Sequence, residues 1–289
     1  MIIVGVDGSQ AALKAVSWAV GEAGVRGAAL RIVHAVPALP LTTAKDAAHA
    51  DTDRRMRDAA ASMLTAALER ARQEDPRVKT ESSLLAGDPR LVLIEAAKEA
   101  ELLVVGSSGL GGFQGMLLGL VAFGVVGHTA CPIAVIRNPP AQARGEVVVG
   151  VDGSPDGRGA IEFAFAEASL RGAGLRAIHA WNWPVGCGTF ALSAMEEEET
   201  AEGERRLLAE ALAGWSERYP DVKLIEQAEH GHPVEVLKNA SAHADLLVVG
   251  SRGRGDFAGL LLGSVSHALL HHAACPLIVA PAAVVAEHV

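Results

Sequence analysis

The feature that most constrains the fold is an internal repeat. Three sequence blocks occur twice in the same order, each shifted by 144 or 145 residues. The matched pairs are VGVDGS at Val4–Ser9 and Val149–Ser154, LLVVGSSG at Leu102–Gly109 with LLVVGSRG at Leu246–Gly253, and ACPIAVI at 130–136 with ACPLIVA at 274–280. Such self-similarity predicts two copies of one domain.

The boundary between the copies is also visible in the sequence. We predict a first domain over residues 1–138, a linker over 139–145 and a second domain over 146–289. The linker opens on Pro139 and Pro140 and continues with polar residues, which is typical of a connecting segment. Each copy is close to the usual length of a single domain.

Strands and helices alternate within each copy. In the first copy we predict strands at 2–6, 30–36, 78–86, 102–106 and 133–136, and helices at 10–25, 54–73, from 89 onward and at 119–129. Continuous apolar runs such as LLVV fit parallel strands that are covered on both faces. The sequence therefore predicts an α/β fold, with an open five-stranded parallel sheet and helices on both faces of each domain.

A glycine-rich stretch, Gly250–Ser264, follows the fourth predicted strand of the second copy. Its glycines and final hydroxyl have the spacing G-x2-G-x9-G-S. Such a loop at a helix start can direct several backbone N–H groups at an anion, although glycines alone are equally compatible with a simple turn. In open parallel sheets, ligands bind at the carboxyl ends of strands where the strand order reverses. We therefore expect the loops to lie beside Asp7 and Asp152, which follow the first strand of each copy.

Together these motifs resemble the universal stress protein family in its tandem two-domain form. The resemblance rests on V-G-V-D-G-S after strand one, His-Ala at the end of strand two and V-V-G-S-x-G-x9-G-S-V-S after strand four, and it spans nearly the whole chain. It implies flavodoxin-like (Rossmann-like) domains that bind adenine nucleotide and pair with each other, with a homodimer as a further assembly. The second copy fully matches the loop of the ATP-binding subgroup.

The resemblance also implies a set of nucleotide contacts in each domain. In the second domain they are Gly150, Asp152, Ala180, Val249, Gly250, Gly253, Gly263, Ser264, Val265 and Ser266. We add Arg252 and Arg254, because they lie on the same loop, within reach of a phosphate. In the first domain, where we expect weaker binding, they are Gly5, Asp7, Ala35, Val105, Gly106, Gly109, Gly119 and Val121. The implied ligand is ATP, and whether Mg²⁺ accompanies it is left open.

The first copy keeps the glycine spacing but loses the polar groups. Leu120 and Ala122 stand opposite Ser264 and Ser266, while Ser108 and Leu110 stand opposite Arg252 and Arg254. Each lost charge-assisted hydrogen bond is worth about 1.5–3 kcal/mol. We therefore expect the second domain to hold the nucleotide and the first to bind it weakly or not at all.

Charge divides unevenly between the copies. Residues 1–144 carry 15 Lys and Arg against 14 Asp and Glu, whereas residues 145–289 carry 10 against 20. The better nucleotide loop thus lies in the more acidic domain, so its local donors or a divalent cation must offset the field. Neither half shows a basic stripe of the kind that binds DNA, and we expect no nucleic-acid partner.

Cysteine content and hydropathy indicate the compartment. The three cysteines are odd in number and lack C-x-x-C spacing, which argues against a disulfide framework or a structural zinc site. With a strand directly at the start of the chain, we expect a reducing, cytoplasmic setting. Residues 109–136 contain no charged side chain. Their glycines, Pro132 and the charged counterpart in the second copy argue against a membrane span.

Histidines recur in two places. His34 and His179 occupy the same strand end in each copy. We predict that they pack at the strand terminus, and a role in lining the pocket is the alternative that stays open. His267, His271 and His272 have helical spacing, but no carboxylate or cysteine at ligand spacing accompanies them, so we predict no metal site.

The sequence contains no evident catalytic motif. A G-x-x-x-x-G-K-[ST] loop, a G-x-G-x-x-G after strand one and a G-x-S-x-G elbow are all absent from it. The favoured function is an ATP-binding, stress-response regulatory protein without catalytic residues. A nucleotide-independent interaction module and a slow ATPase are the alternatives that the sequence leaves open.

Overall fold

The computed structural model describes residues 1–37, 47–109, 118–140, 142–182, 194–253 and 262–282. The chain divides into two compact units, Met1–Pro139 and Pro140–Val289. Each unit is an α/β domain built on a five-stranded parallel sheet, as the alternating pattern predicts.

The first domain contains five strands and the helices that connect them. Its described elements are β1 (Ile2–Gly5), α1 (Gln10–Arg26), β2 (Leu30–Val36), α2 (Ala47–Glu74), β3 (Thr80–Ala86), α3 (Pro89–Ala97), β4 (Leu102–Gly106), α4 (Leu120–Val125) and β5 (Ile133–Ile136). The strand order is β3-β2-β1-β4-β5, and all pairs are parallel. The chain thus moves outward from β1 to β3 and then returns to the other side of β1.

The second domain repeats this arrangement. Its described elements are β6 (Glu146–Gly150), α5 (Arg158–Arg171), β7 (Gly174–Trp181), α6 (Ala194–Leu212), α7 (Trp215–Arg218), β8 (Leu224–His230), α8 (Pro233–Ser241), β9 (Leu246–Gly250), α9 (Ser264–His272) and β10 (Leu277–Ala280). Its strand order is β8-β7-β6-β9-β10, again parallel. A 3-10 turn at Pro155–Gly157 precedes α5 and has no counterpart among the elements of the first domain.

The central strands form the core of each domain. Ile2, Ile3 and Val4 in β1 are fully buried, and β4 and β9 are buried along four consecutive residues. Burial on both faces explains why these strands are continuously apolar rather than alternating. In the first domain, α1 packs on α2 and α3 packs on α4, and both pairs contact the sheet.

Local signals set several helix ends where the sequence predicts them. The Ser9 hydroxyl accepts a hydrogen bond from the backbone N–H of Ala12 at 3.1 Å, and α1 ends at Gly27 with a left-handed φ of 62°. Asp88 caps α3 by accepting from the N–H of Arg90 at 2.9 Å, with Pro89 in the first turn. These are the standard N-cap and C-cap arrangements.

Three predicted boundaries are wrong by two residues or more. Helix α2 begins at Ala47 rather than Arg54, because the preceding residues are rich in alanine and continue the helix. Helix α4 ends at Val125 rather than Thr129, since Gly127 adopts a φ of 82° that the helix cannot contain. Strand β3 begins at Thr80, two residues late, after a turn in which the N–H of Val78 bonds to Asp75. Across the parts of the chain that the structure describes, no helix is long and apolar enough to span a bilayer.

Candidate functional site

The strand order reverses between β1 and β4 in the first domain and between β6 and β9 in the second. Parallel pairing places Gly5 beside Val105 in the first domain and Val149 beside Val248 in the second. The loops that leave these neighbouring strands therefore emerge at the same edge of the sheet. This is the edge where open α/β sheets bind their ligands.

At that edge each loop glycine lies against the aspartate that follows the first strand. A methyl group placed on Gly253 would lie 2.5 Å from Oδ2 of Asp152, and one on Gly109 would lie 2.3 Å from Oδ2 of Asp7. Only a residue without a side chain permits so close an approach. The predicted proximity of aspartate and glycine loop is therefore confirmed in both domains.

Hydrogen bonds fix the orientation of each aspartate. In the second domain, Oδ1 of Asp152 accepts from the backbone N–H and the hydroxyl of Ser154, at 2.9 and 2.8 Å. In the first domain, Oδ1 of Asp7 accepts from the N–H of Ser9 at 3.0 Å. The Ser9 hydroxyl also donates to the carbonyl of Ser108 at 3.4 Å, which links the turn to the glycine loop. One carboxylate oxygen is thus anchored locally, and the other faces the loop.

Matching backbone hydrogen bonds close the base of both glycine loops. The N–H of Gly263 donates to the carbonyl of Ser251, and the N–H of Gly119 donates to that of Ser107, both at 2.8 Å. The same frame is therefore retained in both domains whatever side chains the loop carries. Glycine spacing reports the fold, so other residues must decide what each loop binds.

In the second domain the loop leads into α9, which has nine residues and begins at Ser264. Gly263 occupies the N-cap position without a side-chain hydrogen bond, and Ser264 and Arg252 are both exposed. A methyl group on Gly263 would lie 3.7 Å from the Cα of Arg252, so the arginine and the helix start are adjacent. An exposed hydroxyl at a helix N-terminus, with an exposed arginine next to it in the fold, suits an anion. Arg254 lies outside the described residues.

Ser266 has a structural contact that the sequence does not reveal. It is buried, and its hydroxyl donates to the carbonyl of Gly250 at 2.5 Å. This bond ties the end of β9 to the first turn of α9. In the first domain the equivalent residue is the buried Ala122, so the corresponding side-chain bond to Gly106 is absent.

The other residues predicted for the second site lie along the same sheet edge. Gly150 approaches α8, since a methyl group on it would lie 2.9 Å from Cδ1 of Leu237. Ala180 is half-buried near the end of β7, Val249 is buried at the end of β9, and Val265 is half-buried in α9.

The first domain has a partly open cavity of about 250 Å³ at its sheet edge. All the residues predicted for the first-domain site line this cavity together. The described lining is Gly5, Val6, Asp7, Ala12, Val33, His34, Ala35, Pro89, Leu93, Val105, Gly106, Ser108, Gly109, Gly119, Leu120, Val121 and Ala122. Most of these side chains are apolar, and Asp7, His34 and Ser108 are the polar ones.

The end of this cavity next to α4 differs from the second domain. Helix α4 has only six residues, and its first residue, Leu120, is 69% exposed. Ser108, which is exposed, stands where the second domain has Arg252. The first-domain loop therefore presents an apolar side chain and a neutral hydroxyl where the second presents a hydroxyl and a cation.

The recurring histidines have different surroundings in the two domains. Nδ1 of His34 lies 2.7 Å from the carbonyl of Val6, and Nδ1 of His179 lies 2.7 Å from that of Val151. In the second domain Nε2 of His179 also pairs with Glu204 of α6 at 2.7 Å. The first-domain residue at the position of Glu204 is Ala60, which carries no carboxylate, and there the same strand end borders the cavity.

Neither the histidines of α9 nor the two buried cysteines form a metal or redox centre in the described part of the chain. The rings of His267 and His271 lie 5.4 Å apart on α9, but no group of three metal-ligating side chains occurs among the described residues. Burial raises the pKa of the Cys131 thiol to about 11 and that of Cys275 to about 12, so both remain protonated at neutral pH. They fit the predicted role of small buried residues. Cys187 lies outside the described residues.

Comparison with known proteins agrees with the repeat and with the fold. The model of the universal stress protein family matches residues 1–137 and again 144–281. Universal stress proteins Rv2005c and Rv2623 of Mycobacterium tuberculosis H37Rv are 38% and 39% identical to this chain over 96% of its length, which covers 96% and 95% of theirs. The crystal structure of a universal stress protein from Archaeoglobus fulgidus DSM 4304 is similar in fold, with a TM-score of 0.68 and 23% identity over 97% of this chain and 96% of that one.

The tandem matches, the full-length relatives and the shared fold lead to the same assignment. Both domains carry the aspartate-and-glycine-loop arrangement at the strand-order reversal, and the family model covers each of them separately. The chain belongs to the universal stress protein family, as a tandem two-domain member.

Proposed function

We propose that this protein is an ATP-binding, stress-response regulatory protein that holds the nucleotide in its second domain. The observation that carries the proposal is the placement of Asp152 against Gly253, beside a nine-residue helix whose first residue is the exposed Ser264. A carboxylate and a helix N-terminus that meet at one edge of the sheet can bind the two chemically different ends of a nucleotide.

Each end of the nucleotide has a suitable partner. The carboxylate of Asp152 accepts hydrogen bonds from ribose hydroxyls or from the base, and Ala180 lies on the strand beside it. At the other end, the first backbone N–H groups of α9 and the Ser264 hydroxyl donate to phosphate oxygens. Arg252 adds a charge-assisted contact, and we include Arg254 on the same basis.

The acidic composition of the second domain sets a condition on this binding. Its net charge of −10 opposes the approach of a polyanion, whereas Arg252 and the helix start attract it locally. A divalent cation bound to the phosphates would offset the opposing field. We therefore expect Mg²⁺ to strengthen ATP binding by accompanying the ligand, without a separate protein metal site.

ATP acts in this proposal as a regulatory ligand. A ligand that binds only the folded state stabilises it by about 2.7 kcal/mol at a concentration of 100 Kd. Binding between the end of β9 and the start of α9 would therefore stabilise the folded second domain and change the surface that this domain offers to a partner.

The test compares ATP binding by the wild-type chain and by Gly263→Glu. Gly263 has a φ of −68°, and the nearest atom to an added Cβ lies at 3.7 Å, so the substitution fits the fold while placing a carboxylate at the phosphate end. Calorimetry and thermal melting, each with and without Mg²⁺, should show binding and a raised Tm for the wild type but not for the variant. Gly203→Glu on the exposed face of α6, where nothing lies within 4 Å, is the charge-matched control and should behave as wild type. Normal ATP binding by Gly263→Glu would overturn the assignment.

A further inference from the structure

The first-domain cavity keeps one half of the second-domain site and lacks the other. The residues at the strand ends are shared: Asp7 corresponds to Asp152 and Ala35 to Ala180, and both aspartates are anchored through Oδ1. The loss of a cation and of hydroxyls is confined to the loop and the following helix. The cavity is therefore not simply a weakened copy of the second site, because its anion-binding end has lost these groups while the aspartate end is kept.

The chemistry of the altered end disfavours a charged ligand. None of the described residues that line the cavity is Lys or Arg, and residues 110–117, beyond the described part, include none either. Leu120 covers the position where the second domain presents Ser264, and α4 is too short to supply a strong helix terminus. A phosphate placed there would meet no cation among the described lining residues, and Ser108 would supply its one hydroxyl there.

The retained end favours a ligand that donates hydrogen bonds. Asp7 is the one carboxylate among the described lining residues, and its Oδ2 faces Gly109 across the loop. A carboxylate accepts hydrogen bonds from hydroxyl and amino groups and repels phosphate. Nδ1 of His34 faces a carbonyl at 2.7 Å and so carries the proton, which leaves Nε2 as an acceptor in the neutral ring.

The size of the cavity also sets a limit. Its volume of about 250 Å³ is just below the range of roughly 300–1,000 Å³ typical of sites for drug-sized ligands. Its walls are mostly apolar, with Val33, Leu93 and Val121 among them. A small, partly apolar molecule with several donors fits this description, whereas the described walls offer a triphosphate chain no cation.

We propose that the first domain is a selective site for an uncharged nucleoside, so that the tandem chain can respond separately to a nucleoside and to a nucleotide. This inference rests on the proposed function in taking Asp7, like Asp152, as the contact for the sugar or base. The first domain would then bind the uncharged nucleoside, because Leu120 and Ser108 exclude phosphate. The second domain would bind the charged nucleotide, because Ser264 and Arg252 bind phosphate.

The experiment uses the full chain with the second site closed at both ends by Gly253→Ala and Gly263→Glu. Adenosine, AMP and ATP are titrated separately by calorimetry. Adenosine should bind with a stoichiometry of one, and AMP and ATP should bind at least tenfold more weakly. Adding Gly109→Ala, whose methyl group would lie 2.3 Å from the Asp7 carboxylate, should abolish the adenosine signal. Equal affinities for adenosine and AMP, or no adenosine binding, would overturn the proposal.

A gain-of-function variant distinguishes a specific loss of binding from a folding defect. Ser108 and Leu120 are both exposed, so Ser108→Arg with Leu120→Ser changes the loop without disturbing the core. In the closed-second-site chain, this pair should raise AMP affinity at least tenfold and leave adenosine affinity within about twofold. Unchanged AMP affinity in this variant would contradict the role given to these two residues.

The two proposals fail in different ways. If the wild-type chain does not bind ATP but the closed-second-site chain binds adenosine selectively, the proposed function is wrong and the first-domain selectivity stands. If wild type binds ATP in a Gly263-dependent manner but the closed chain does not discriminate adenosine from AMP, only the nucleoside inference is wrong.

Discussion

Substituting Gly253 by alanine should weaken ATP binding, because the added methyl group displaces the carboxylate of Asp152. The added Cβ would lie 2.5 Å from Oδ2 of Asp152, whereas relaxed contacts between carbon and oxygen are about 3.3–3.6 Å. The carboxylate must therefore move by about 1 Å. It is held on its other side by two hydrogen bonds from Ser154, at 2.9 and 2.8 Å, so it cannot move without disturbing that turn.

The expected loss follows from the contact that the displaced carboxylate no longer makes. A hydrogen bond to a charged group is worth about 1.5–3 kcal/mol. Since each 1.4 kcal/mol is a tenfold change, the Kd for ATP should rise by about 10- to 150-fold. Isothermal titration calorimetry measures this directly. Gly203→Ala, in an exposed helical position with nothing within 4 Å, is the matched control and should leave the Kd unchanged.

A double-mutant cycle tests the mechanism itself. If Gly253→Ala acts through Asp152, then Asp152→Ala should weaken ATP binding by a similar factor, and the two substitutions together should be no worse than either alone. Additive losses would refute the reasoning, because they would mean that the alanine acts on the loop independently of the carboxylate. An unchanged Kd for Gly253→Ala would refute it more simply.

Two further predictions concern groups buried beside the site and in the core. Ser266→Ala removes the buried donor to the strand-end carbonyl and should lower the free energy of unfolding by about 1–3 kcal/mol, measured by urea denaturation; a stability equal to wild type would show that this bond contributes nothing. Because burial raises the thiol pKa of Cys131 to about 11 and of Cys275 to about 12, neither should react with iodoacetamide at pH 8 in a Cys187→Ser chain until denaturant is added. Rapid labelling of the folded protein would contradict their burial.

The sequence predicts the fold well because the repeat and the buried strands are strong, local signals. The run LLVV, which occurs in both copies, favours a central parallel strand. The strand order then places Asp7 beside Gly109. The cap residues Ser9 and Asp88 likewise act within three residues of themselves, so their roles are visible in the sequence.

Features that depend on distant contacts could not be predicted in this way. Glu22 and Glu167 look like solvated helix positions, yet each is almost fully buried against an arginine four residues later. Glu204 pairs with His179 across 25 residues of sequence, and nothing in the polar pattern of α6 distinguishes it from its neighbours. Tertiary packing decides these positions, and periodicity does not report it.

The candidate site likewise combines features set by local sequence with features set by distant contacts. The glycine spacing correctly predicted the loop frame in both domains, because that frame depends on backbone hydrogen bonds. It could not show that Ser266 is engaged by the carbonyl of Gly250, nor that the first domain has an apolar cavity. Ser264 and Arg252 are exposed beside the start of α9, so their difference from the first domain remains the feature on which the ligand prediction depends.

A crystal structure of the chain grown with ATP and Mg²⁺ would test the central claim most directly. The account predicts one nucleotide per chain, with its phosphates within hydrogen-bonding distance of Ser264 and the first N–H groups of α9, and with a hydroxyl or amino group donating to Asp152. ATP bound in the first-domain cavity, with its phosphates beside Leu120, would contradict the account.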